Sequence, residues 1–397
     1  MINNKFSPWP SFTNEEIESV KNVLSSNKVN YWTGDECRKF EKEFAAWSDS
    51  EYAVSLANGT LALDIAFKAL DIGSDDEVIV TSRSYIASVT SIINANATPV
   101  FVDVDPISQN ISPKNINSAI TDKTKGIVCV HLAGWPCEMD EIMAIAHAND
   151  LFVVEDCAQA HGAKYRGVSV GSIGDIGCWS FCQDKIMSTG GEGGMVTTNN
   201  KSLWLKMWEY KDHGKSYEAV YQREHPEGFR WLHETFGTNW RMTEMQGAIG
   251  RIQLNRMPEW TKLRNRNATI LNKAFKQFTG ETGILRIPQM ENERNCIHAY
   301  YKYYVFVNKD ALKDKWDRDR IISEINLKGV PCIHGSCSEI YLEKAFDGTN
   351  FRPEKRLPVA RELGETSIVF LVHPTLSEEE MLQMAEEAIS VFKIATP

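Results

Sequence analysis

The chain has 397 residues, of which 43% are hydrophobic and 24% are charged, and its formal net charge is −10. This composition excludes a disordered or fibrous chain, and the negative charge argues against nucleic acid or an anionic membrane surface as a partner. The N-terminus lacks an apolar leader, and no apolar run reaches the ~18 residues of a membrane span. We therefore expect a cytoplasmic protein that does not span a membrane.

The nine cysteines are odd in number and scattered, and the sequence contains no Cys-x-x-Cys. Disulfide frameworks and structural zinc sites use regular cysteine spacings. We therefore expect free thiols in a reducing compartment, and we expect no metal site.

The patterns predict three regions in chain order. Residues 1–35 should form an arm and a helix, because Thr13 and Glu16 can make a capping box ahead of an apolar-periodic stretch. Residues 36–250 should form a large domain. Residues 251–397 should form a smaller α+β domain that follows a long connecting helix. A chain of 397 residues is too long for one compact core.

Short apolar runs alternate with stretches of helical period in the large domain. The predicted strands are Ala53–Leu56, Val78–Thr81, Pro99–Val104, Gly126–Leu132, Leu151–Val154, Gly177–Phe181 and Met195–Thr198. Helices are predicted between several of them, at Thr60–Leu70, Ser84–Asn94 and Asp140–His147. This alternation favours an α/β fold with a mostly parallel seven-stranded sheet covered by helices. Ligands of such sheets bind outside the carboxyl ends of the strands.

The remaining chain is predicted from longer patterns. Residues 214–238 are rich in aromatic and charged residues without periodicity, which indicates a long functional loop. A helical pattern follows from Thr243 to Phe278. The small domain should contain strands Tyr301–Val307 and Ser367–Leu371 and helices Asp317–Lys328 and Ser377–Ile394.

Lys185 lies between a predicted buried strand and a glycine-rich run at residues 190–194. A lysine at the edge of a core is partly desolvated, which favours the neutral amine that attacks an aldehyde. Taken alone, such a lysine is more often one that packs its stem and keeps its ammonium in water. The residues at neighbouring strand ends favour the nucleophile.

A carboxylate closes another predicted strand, because Asp156 follows Leu151–Val154. A carboxylate at the end of a buried strand needs a cation or several donors, and a protonated pyridine nitrogen would supply one. Gln159 lies three residues further on and could donate to an oxygen beside that ring. Separately, Asp156 could be a helix cap and Gln159 a solvated helix residue.

Phosphate donors are predicted at two further strand ends. Gly59 and Thr60 lie between a strand and a helix, where glycine permits close backbone approach and the helix N-terminus attracts anions. Taken alone, such a pair is more often only a helix cap. Ser180 closes the strand before Lys185 and could add a hydroxyl. Tyr85 could stack on a flat ring or belong to the core. Together these residue types predict a site for pyridoxal 5′-phosphate.

Longer segments extend this pattern over most of the chain. They are Ala57–Leu63, Pro99–Asp105, Val130–Gly134, Glu155–Gly162, Ser180–Phe181 with Lys185, Asp212–Gly214, Asn239–Met242, Leu357–Ala360 and His373–Pro374. In this order they resemble the DegT/DnrJ/EryC1/StrS family of nucleotide-sugar aminotransferases, which are fold-type I pyridoxal-phosphate enzymes.

The resemblance implies roles around the cofactor ring. Lys185 would carry pyridoxal phosphate as a Schiff base and act as the acid and base of the proton shift. Asp156 would pair with the pyridinium nitrogen, and Gln159 would contact the ring hydroxyl. Tyr85 would stack on the ring. His161 belongs to a matched segment and would be architectural.

At the phosphate, the resemblance implies that Gly59, Thr60 and Ser180 hold this group. Asn239 would reach the phosphate of the neighbouring subunit. The protein would therefore be a homodimer with shared active sites.

Three residues are predicted on the substrate side. Arg83 is larger and more charged than the family residue and could face the substrate. His334 resembles a family histidine near the substrate. Arg241 belongs to a basic stretch that could meet a pyrophosphate or could be solvated; its other members are Lys211, His213, Lys215, Arg223 and Arg230.

The function implied is transfer of an amino group from L-glutamate to the keto carbon of a nucleotide-linked keto-deoxy sugar. The expected carbon is C4, the expected substrate is a UDP-4-keto-6-deoxy-N-acetylhexosamine, and the product would enter a surface polysaccharide such as an O-antigen. The alternatives are a C3-aminotransferase on a 3-keto nucleotide sugar and a sugar-nucleotide-binding regulator without turnover.

Two other enzyme classes are disfavoured by the sequence. Sugar 3-dehydratases of the family replace the Schiff-base lysine with histidine, whereas this chain has Lys185. A nicotinamide enzyme would need a Gly-x-Gly-x-x-Gly turn between strand and helix, and the glycine run here follows Lys185 without that spacing.

Overall fold

The computed structural model describes residues 6–290 and 295–397. The β-strands in chain order are β1 (Tyr52–Leu56), β2 (Glu77–Thr81), β3 (Thr98–Val102), β4 (Thr124–Val130), β5 (Phe152–Asp156), β6 (Lys164–Tyr165), β7 (Val168–Ser169), β8 (Ile176–Ser180), β9 (Gly194–Thr198), β10 (Leu285–Arg286), β11 (Tyr303–Val307), β12 (Cys332–Ile333) and β13 (Ser367–Phe370). The α-helices in chain order are α1 (Asn14–Ser25), α2 (Glu36–Trp47), α3 (Gly59–Ala69), α4 (Ala87–Asn94), α5 (Pro113–Ala119), α6 (Met139–Ala148), α7 (Lys201–Tyr210), α8 (Tyr217–Tyr221), α9 (Glu244–Phe275), α10 (Arg318–Leu327), α11 (Pro358–Thr366) and α12 (Glu378–Ala395).

The central sheet has seven strands in the order β1-β9-β8-β5-β4-β2-β3. Strands β3, β2, β4, β5 and β8 are parallel, whereas β9 is antiparallel to both β8 and β1. The prediction of a mostly parallel seven-stranded sheet is therefore confirmed. Asp156 and Ser180 are the last residues of the paired strands β5 and β8. Both therefore lie at the carboxyl edge of the sheet.

Both faces of the sheet are covered, as its nearly continuous apolar strands require. Val78 and Val80 pack in a core with α3, α4 and α7, whereas Ile79 between them packs in a core with α5 and α6. Successive side chains of a strand point to opposite faces, so α3 and α6 lie on different sides of the sheet.

A second, antiparallel sheet of four strands has the order β10-β11-β13-β12. Its core includes Leu271 and Phe275 from the end of α9, together with apolar side chains of α10 and α12. The first turns of α9 pack on α2 at the central sheet, where Gly247 closely approaches the backbone of Cys37. The predicted boundary after residue 250 thus falls inside one continuous helix. The division into domains remains a prediction.

The helix start at Thr13 and the segment at residues 214–238 can both be compared with their predictions. Thr13 and Glu16 form the predicted capping box at α1. Residues 214–238 are largely irregular, although α8 lies within them. Among the described residues, no helix is both long enough and apolar enough to cross a membrane. No disulfide bond joins two cysteines in the part of the chain that the structure describes.

Candidate active site

A cavity of about 800 Å³ opens at the carboxyl edge of the central sheet. It is walled by the start of α3, the connection from β2 to α4, the ends of β5 and β8, and residues 301–304 and 333–337 of the smaller sheet region. The predicted site residues that line it are Gly59, Thr60, Tyr85, Asp156, Gln159, Ser180 and Lys185. The structure thus brings together residues that are up to 126 positions apart in the chain, from Gly59 to Lys185.

Lys185 projects into this cavity from the turn after β8, with its side chain 17% exposed. Its Nζ lies 3.8 Å from Oδ1 of Asp184 and 5.1 Å from the ring centroid of Tyr301. The Tyr301 hydroxyl donates a hydrogen bond to the other oxygen of Asp184. Burial raises the pKa of Asp184, but the Lys185 charge and this hydrogen bond together leave that pKa below its usual value. The amine is therefore held between an aromatic face and an ionised carboxylate.

Asp156 is nearly buried, and each of its oxygens accepts one hydrogen bond. Oδ1 accepts from the N–H of Ala158 at 3.1 Å, and Oδ2 accepts from the Ser88 hydroxyl at 2.7 Å. The Ser88 and Ser84 hydroxyls are 2.9 Å apart. No Lys, Arg or His nitrogen of the described chain lies within 4.0 Å of this carboxylate. A pyridinium nitrogen would supply the missing cation, so the site fits the ring of pyridoxal phosphate.

The side chain of Gln159 is held in place through its amide oxygen. Oε1 accepts a 2.8 Å hydrogen bond from the backbone N–H of Ala133, so Nε2 is the group left to donate within the cavity. Ala133 and Gly134 both have positive φ, at 57° and 90°. A Cβ on Gly134 would lie 2.8 Å from the Cβ of Ala299, so this turn needs glycine.

The start of α3 forms the anion-binding end of the cavity. Asn58 caps the helix through a 3.0 Å hydrogen bond from the N–H of Leu61 to its Oδ1. The N–H groups of Gly59 and Thr60 precede any possible intrahelical acceptor and attract negative charge. A Cβ on Gly59 would lie 2.5 Å from the Cβ of Ser180. Glycine therefore brings the helix N-terminus against the Ser180 hydroxyl, which gives a cradle that suits a phosphate.

Glu155 is buried behind the cavity in a cluster of three residues whose types can bind metal ions. It lies with His131 and Cys157, and their ligand atoms are within 4.8 Å of one another. The two Glu155 oxygens accept from the backbone N–H groups of residues 171, 173 and 174 at 2.7–2.9 Å, and from His131 Nε2 at 2.9 Å. These donors satisfy the carboxylate without a metal ion, and the Glu155 side chain thereby ties the turn before β8 to β5.

His161 is buried between Trp179 and Phe181, with ring centroids 5.2 and 5.6 Å away. Burial lowers its pKa to about 3, and neither ring nitrogen has a hydrogen-bond partner in the part of the chain that the structure describes. Its position agrees with an architectural role.

Arg83 does not face the cavity, contrary to the prediction. Its side chain is fully buried: Nε donates to Gln109 at 3.0 Å, and Nη2 donates to Ser367 at 3.3 Å. The guanidinium also stacks on Tyr304, with its central carbon 5.7 Å from the ring centroid. Arg83 therefore joins the central sheet to β13, because the partners that bury it come from distant parts of the sequence.

The basic stretch around Arg241 is largely neutralised. Arg241 Nη1 lies 2.6 Å from Asp212, and Lys215 Nζ lies 3.4 Å from the same oxygen. Lys211 is fully buried and lies 3.0 Å from Glu41. Arg241 does not line the cavity, because its guanidinium is directed to Asp212. Asn239 is exposed and also lies outside the cavity wall formed by its own chain.

His334 lies between two residues that line the cavity, but its side chain points away from the cavity. Ile333 and Gly335 line the cavity, whereas the His334 side chain is 59% exposed and its Nε2 lies 3.3 Å from Asp319. The predicted substrate contact is therefore absent in this chain's own cavity.

Four residues of the site were missed by the sequence reasoning: Ser88, Asp184, Tyr301 and Lys302. Ser88 could have been found from its i, i+4 spacing with Ser84 just after a strand end, which places both hydroxyls on one side of a helix. Tyr301 and Lys302 were assigned to a strand, and only the packing of the second sheet brings them to Lys185.

This fold and site define a fold-type I pyridoxal-phosphate enzyme. The model of the DegT/DnrJ/EryC1/StrS aminotransferase family matches residues 10–388, and the chain belongs to this family. It is 34% identical to the GDP-perosamine synthase of Escherichia coli O157:H7 over 95% of both chains. It is also 34% identical to the UDP-N-acetyl-3-dehydro-alpha-D-glucosamine 3-aminotransferase of Acidithiobacillus ferrooxidans, over 94% of this chain and 92% of that protein.

Solved structures agree with this assignment. An aminotransferase from Psychrobacter cryohalolentis superposes with a TM-score of 0.97 at 62% identity, covering 98% of this chain and 99% of that one. The PLP form of the putative sugar aminotransferase Spr1654 from Streptococcus pneumoniae superposes with a TM-score of 0.85 at 25% identity, covering 98% of each chain. The protein is a pyridoxal-phosphate-dependent sugar aminotransferase. The predictions of family, fold class, enzyme type and cofactor are confirmed.

Proposed function

We propose that the enzyme transfers the amino group of L-glutamate to C4 of a nucleotide-linked keto-deoxy sugar. The proposed substrate is a UDP-4-keto-6-deoxy-N-acetylhexosamine, and the product would enter a surface polysaccharide or glycan, such as an O-antigen. The observation that carries the proposal is that Lys185 and Asp156 line one cavity, with the start of α3 at its wall. This cavity is large enough, at about 800 Å³, for a cofactor ring and part of a sugar.

Three side chains would have separate roles in the reaction. Bound pyridoxal phosphate supplies an electron sink for the carbon that loses or gains a proton. Asp156, which accepts a hydrogen bond from Ser88, would keep the ring nitrogen protonated, since no Lys, Arg or His nitrogen of the described residues lies within 4.0 Å of its carboxylate. Lys185 Nζ would remove a proton from the α-carbon of glutamate and later deliver one to the sugar carbon. Tyr85, which is 68% exposed in the isolated chain, would cover the ring.

The phosphate end would be completed by a second copy of the chain. Asn239 is exposed and does not reach the cavity of its own chain, which agrees with a role in the neighbouring subunit. The loop at residues 214–238 exposes four aromatic side chains, and the three most exposed are Phe229, Trp231 and Phe236, at 76%, 78% and 100%. Apolar side chains this exposed favour an interface. We therefore propose a homodimer with shared sites, in the cytoplasm, where cysteine thiols remain reduced.

Transfer to C3 is the second candidate, and one relative favours it. The Acidithiobacillus protein is named as a 3-aminotransferase of a 3-dehydro sugar, and it is as similar to this chain as the GDP-perosamine synthase is. No residue of the described cavity separates the two carbon positions. The regulator without turnover is disfavoured by the complete set of Lys185, Asp156 and Gln159 in one cavity.

The direct test is turnover by the holoenzyme with L-glutamate and a panel of 3-keto and 4-keto sugars linked to UDP, dTDP and GDP. The proposal predicts the highest kcat/KM for a UDP-linked 4-keto sugar, with the new amine at C4 in the NMR spectrum of the product. Preference for a 3-keto sugar would establish the C3 alternative. Absence of turnover with every nucleotide sugar would refute the proposal.

A further inference from the structure

Lys302 lies where two cavities meet. It lines the active-site cavity, and with Asp184 and Ile333 it also lines an adjoining cavity of about 1160 Å³. The second cavity is bounded by residues 6–9 of the N-terminal segment and by residues 326–333. A group that enters the active site from this side passes the Lys302 ammonium.

Among the residues that the structure describes, none gives the ammonium of Lys302 an acidic partner. Its Nζ lies 4.8 Å from the ring centroid of Tyr301, and no carboxylate oxygen within residues 6–290 and 295–397 lies within 4.0 Å of it. Asp184 is the nearby acid, but it already accepts the Tyr301 hydroxyl and lies beside Lys185. Burial, opposed in part by Asp184, lowers the pKa of Lys302 to about 8, and the charges of Arg264 and Lys185 add to this effect.

A structural role alone does not account for this arrangement. Lys211 shows how the same chain buries a lysine for structure: its Nζ lies 3.8 Å from the ring centroid of Tyr31 and also 3.0 Å from a Glu41 oxygen. Lys302 has the aromatic contact without the carboxylate. A partly buried cation without a counter-ion is unfavourable until an anion binds. The positive charge of Lys302, Lys185 and Arg264 together would attract such an anion.

We propose that Lys302 binds an anionic group of a substrate at the junction of the two cavities. This inference rests on the proposed function, under which two anions must enter: a carboxylate of the amino donor and the diphosphate of the nucleotide sugar. Both present oxygen acceptors that an ammonium recognises by the same charge-assisted hydrogen bond. Lys302 is then a residue that sets substrate affinity, next to the lysine that does the chemistry.

The test measures binding without turnover. Glutarate stands in for the donor carboxylates, UDP stands in for the nucleotide diphosphate, and each is titrated into the pyridoxal-phosphate-loaded enzyme by calorimetry. We expect Lys302→Met to weaken the binding of at least one probe by about ten- to a hundredfold, because a charge-assisted hydrogen bond is lost. Lys302→Arg should retain most of the affinity. The probe whose binding is weakened shows whether Lys302 binds the carboxylate of the donor or the diphosphate of the nucleotide.

Lys328→Met is the matched control, because Lys328 lines the second cavity but pairs with Glu387 at 3.4 Å. It should bind both probes as the wild type does, and all variants should melt at similar temperatures. The proposal is overturned if Lys302→Met binds both probes with wild-type affinity, or if the wild type binds neither. Turnover of the sugar panel by the wild type tests the proposed function separately, since calorimetry reports on the anion whether or not the sugar is correct.

Discussion

The indole Nε1 of Trp9 donates a 2.8 Å hydrogen bond to the backbone carbonyl of Lys185, 176 positions away in the chain. The Trp9 ring packs edge-on against Trp260 and stacks on His373, with centroids 5.1 and 5.9 Å away. The N-terminal segment is thus fastened to α9 and to the smaller sheet region. Through one hydrogen bond it also holds the backbone from which the reactive amine projects.

Trp9→Phe should loosen this backbone while keeping an aromatic ring in place. Loss of one hydrogen bond is worth about 1 kcal/mol, so pyridoxal phosphate should dissociate about two- to tenfold faster, as followed by cofactor absorbance. Trp32→Phe is the control, because the Nε1 of Trp32 has no partner in the described structure. Equal cofactor retention in the two variants would show that the Trp9 bond does not position Lys185.

Gly59→Ala should disturb the phosphate cradle, because the new Cβ would lie 2.5 Å from the Cβ of Ser180. Overpacking of this kind costs about 1–3 kcal/mol, so we expect pyridoxal phosphate affinity to fall by at least about fivefold. Pyridoxal, which lacks the phosphate, should bind the variant and the wild type alike. Gly73→Ala is the control, since its added Cβ would have no described atom within 4 Å apart from those of its chain neighbours. A matching loss of pyridoxal affinity in Gly59→Ala would contradict the phosphate role.

Ser88→Ala should lower kcat by about ten- to a hundredfold. Asp156 would lose its 2.7 Å hydroxyl donor, and its carboxylate would be held less well against the ring nitrogen of the cofactor. The absorbance band of the bound cofactor should also shift, since the band depends on the state of the ring nitrogen. Ser91→Ala is the matched control: Ser91 is buried in the same helix, and its hydroxyl has no partner among the described residues. Wild-type kcat and spectrum in Ser88→Ala would refute the positioning role.

Shared sites can be tested by mixing Lys185→Ala and Asn239→Ala, two variants that we expect to be inactive on their own. In a mixed dimer, one site would combine the intact Lys185 of one chain with the intact Asn239 of the other. We therefore expect activity to rise after the two variants are unfolded and refolded together, toward about a quarter of the wild-type value per chain for random pairing, because half of the dimers are mixed and each has one intact site. Each variant refolded alone is the control. No recovery would place Asn239 outside the neighbouring site.

Much of the fold could be predicted because its signals are local. Each strand of the central sheet is a short apolar run, and Asp156, Ser180 and Gly59 lie next to such runs. In a parallel sheet, neighbouring strand ends meet at one edge, so sequence position was enough to gather these residues.

The errors and omissions came from contacts between distant segments. Arg83 was predicted to face the substrate, but Ser367, 284 positions away, helps to bury it. The bond from Tyr301 to Asp184 spans 117 positions, and the contact of Lys302 with the cavity depends on how the second sheet packs against the first. Hydrophobic pattern and residue type specify elements, but they do not specify which side chains meet between two sheets.

The central claim is that Lys185 forms the covalent link to the cofactor. The holoenzyme should be reduced with borohydride, digested, and analysed by mass spectrometry, with Lys185→Ala as the control. We predict that the reduced cofactor is attached to the peptide that contains Lys185, and that the variant carries no label after the same treatment. Attachment to another lysine, such as Lys302, or equal labelling of the variant would contradict the account.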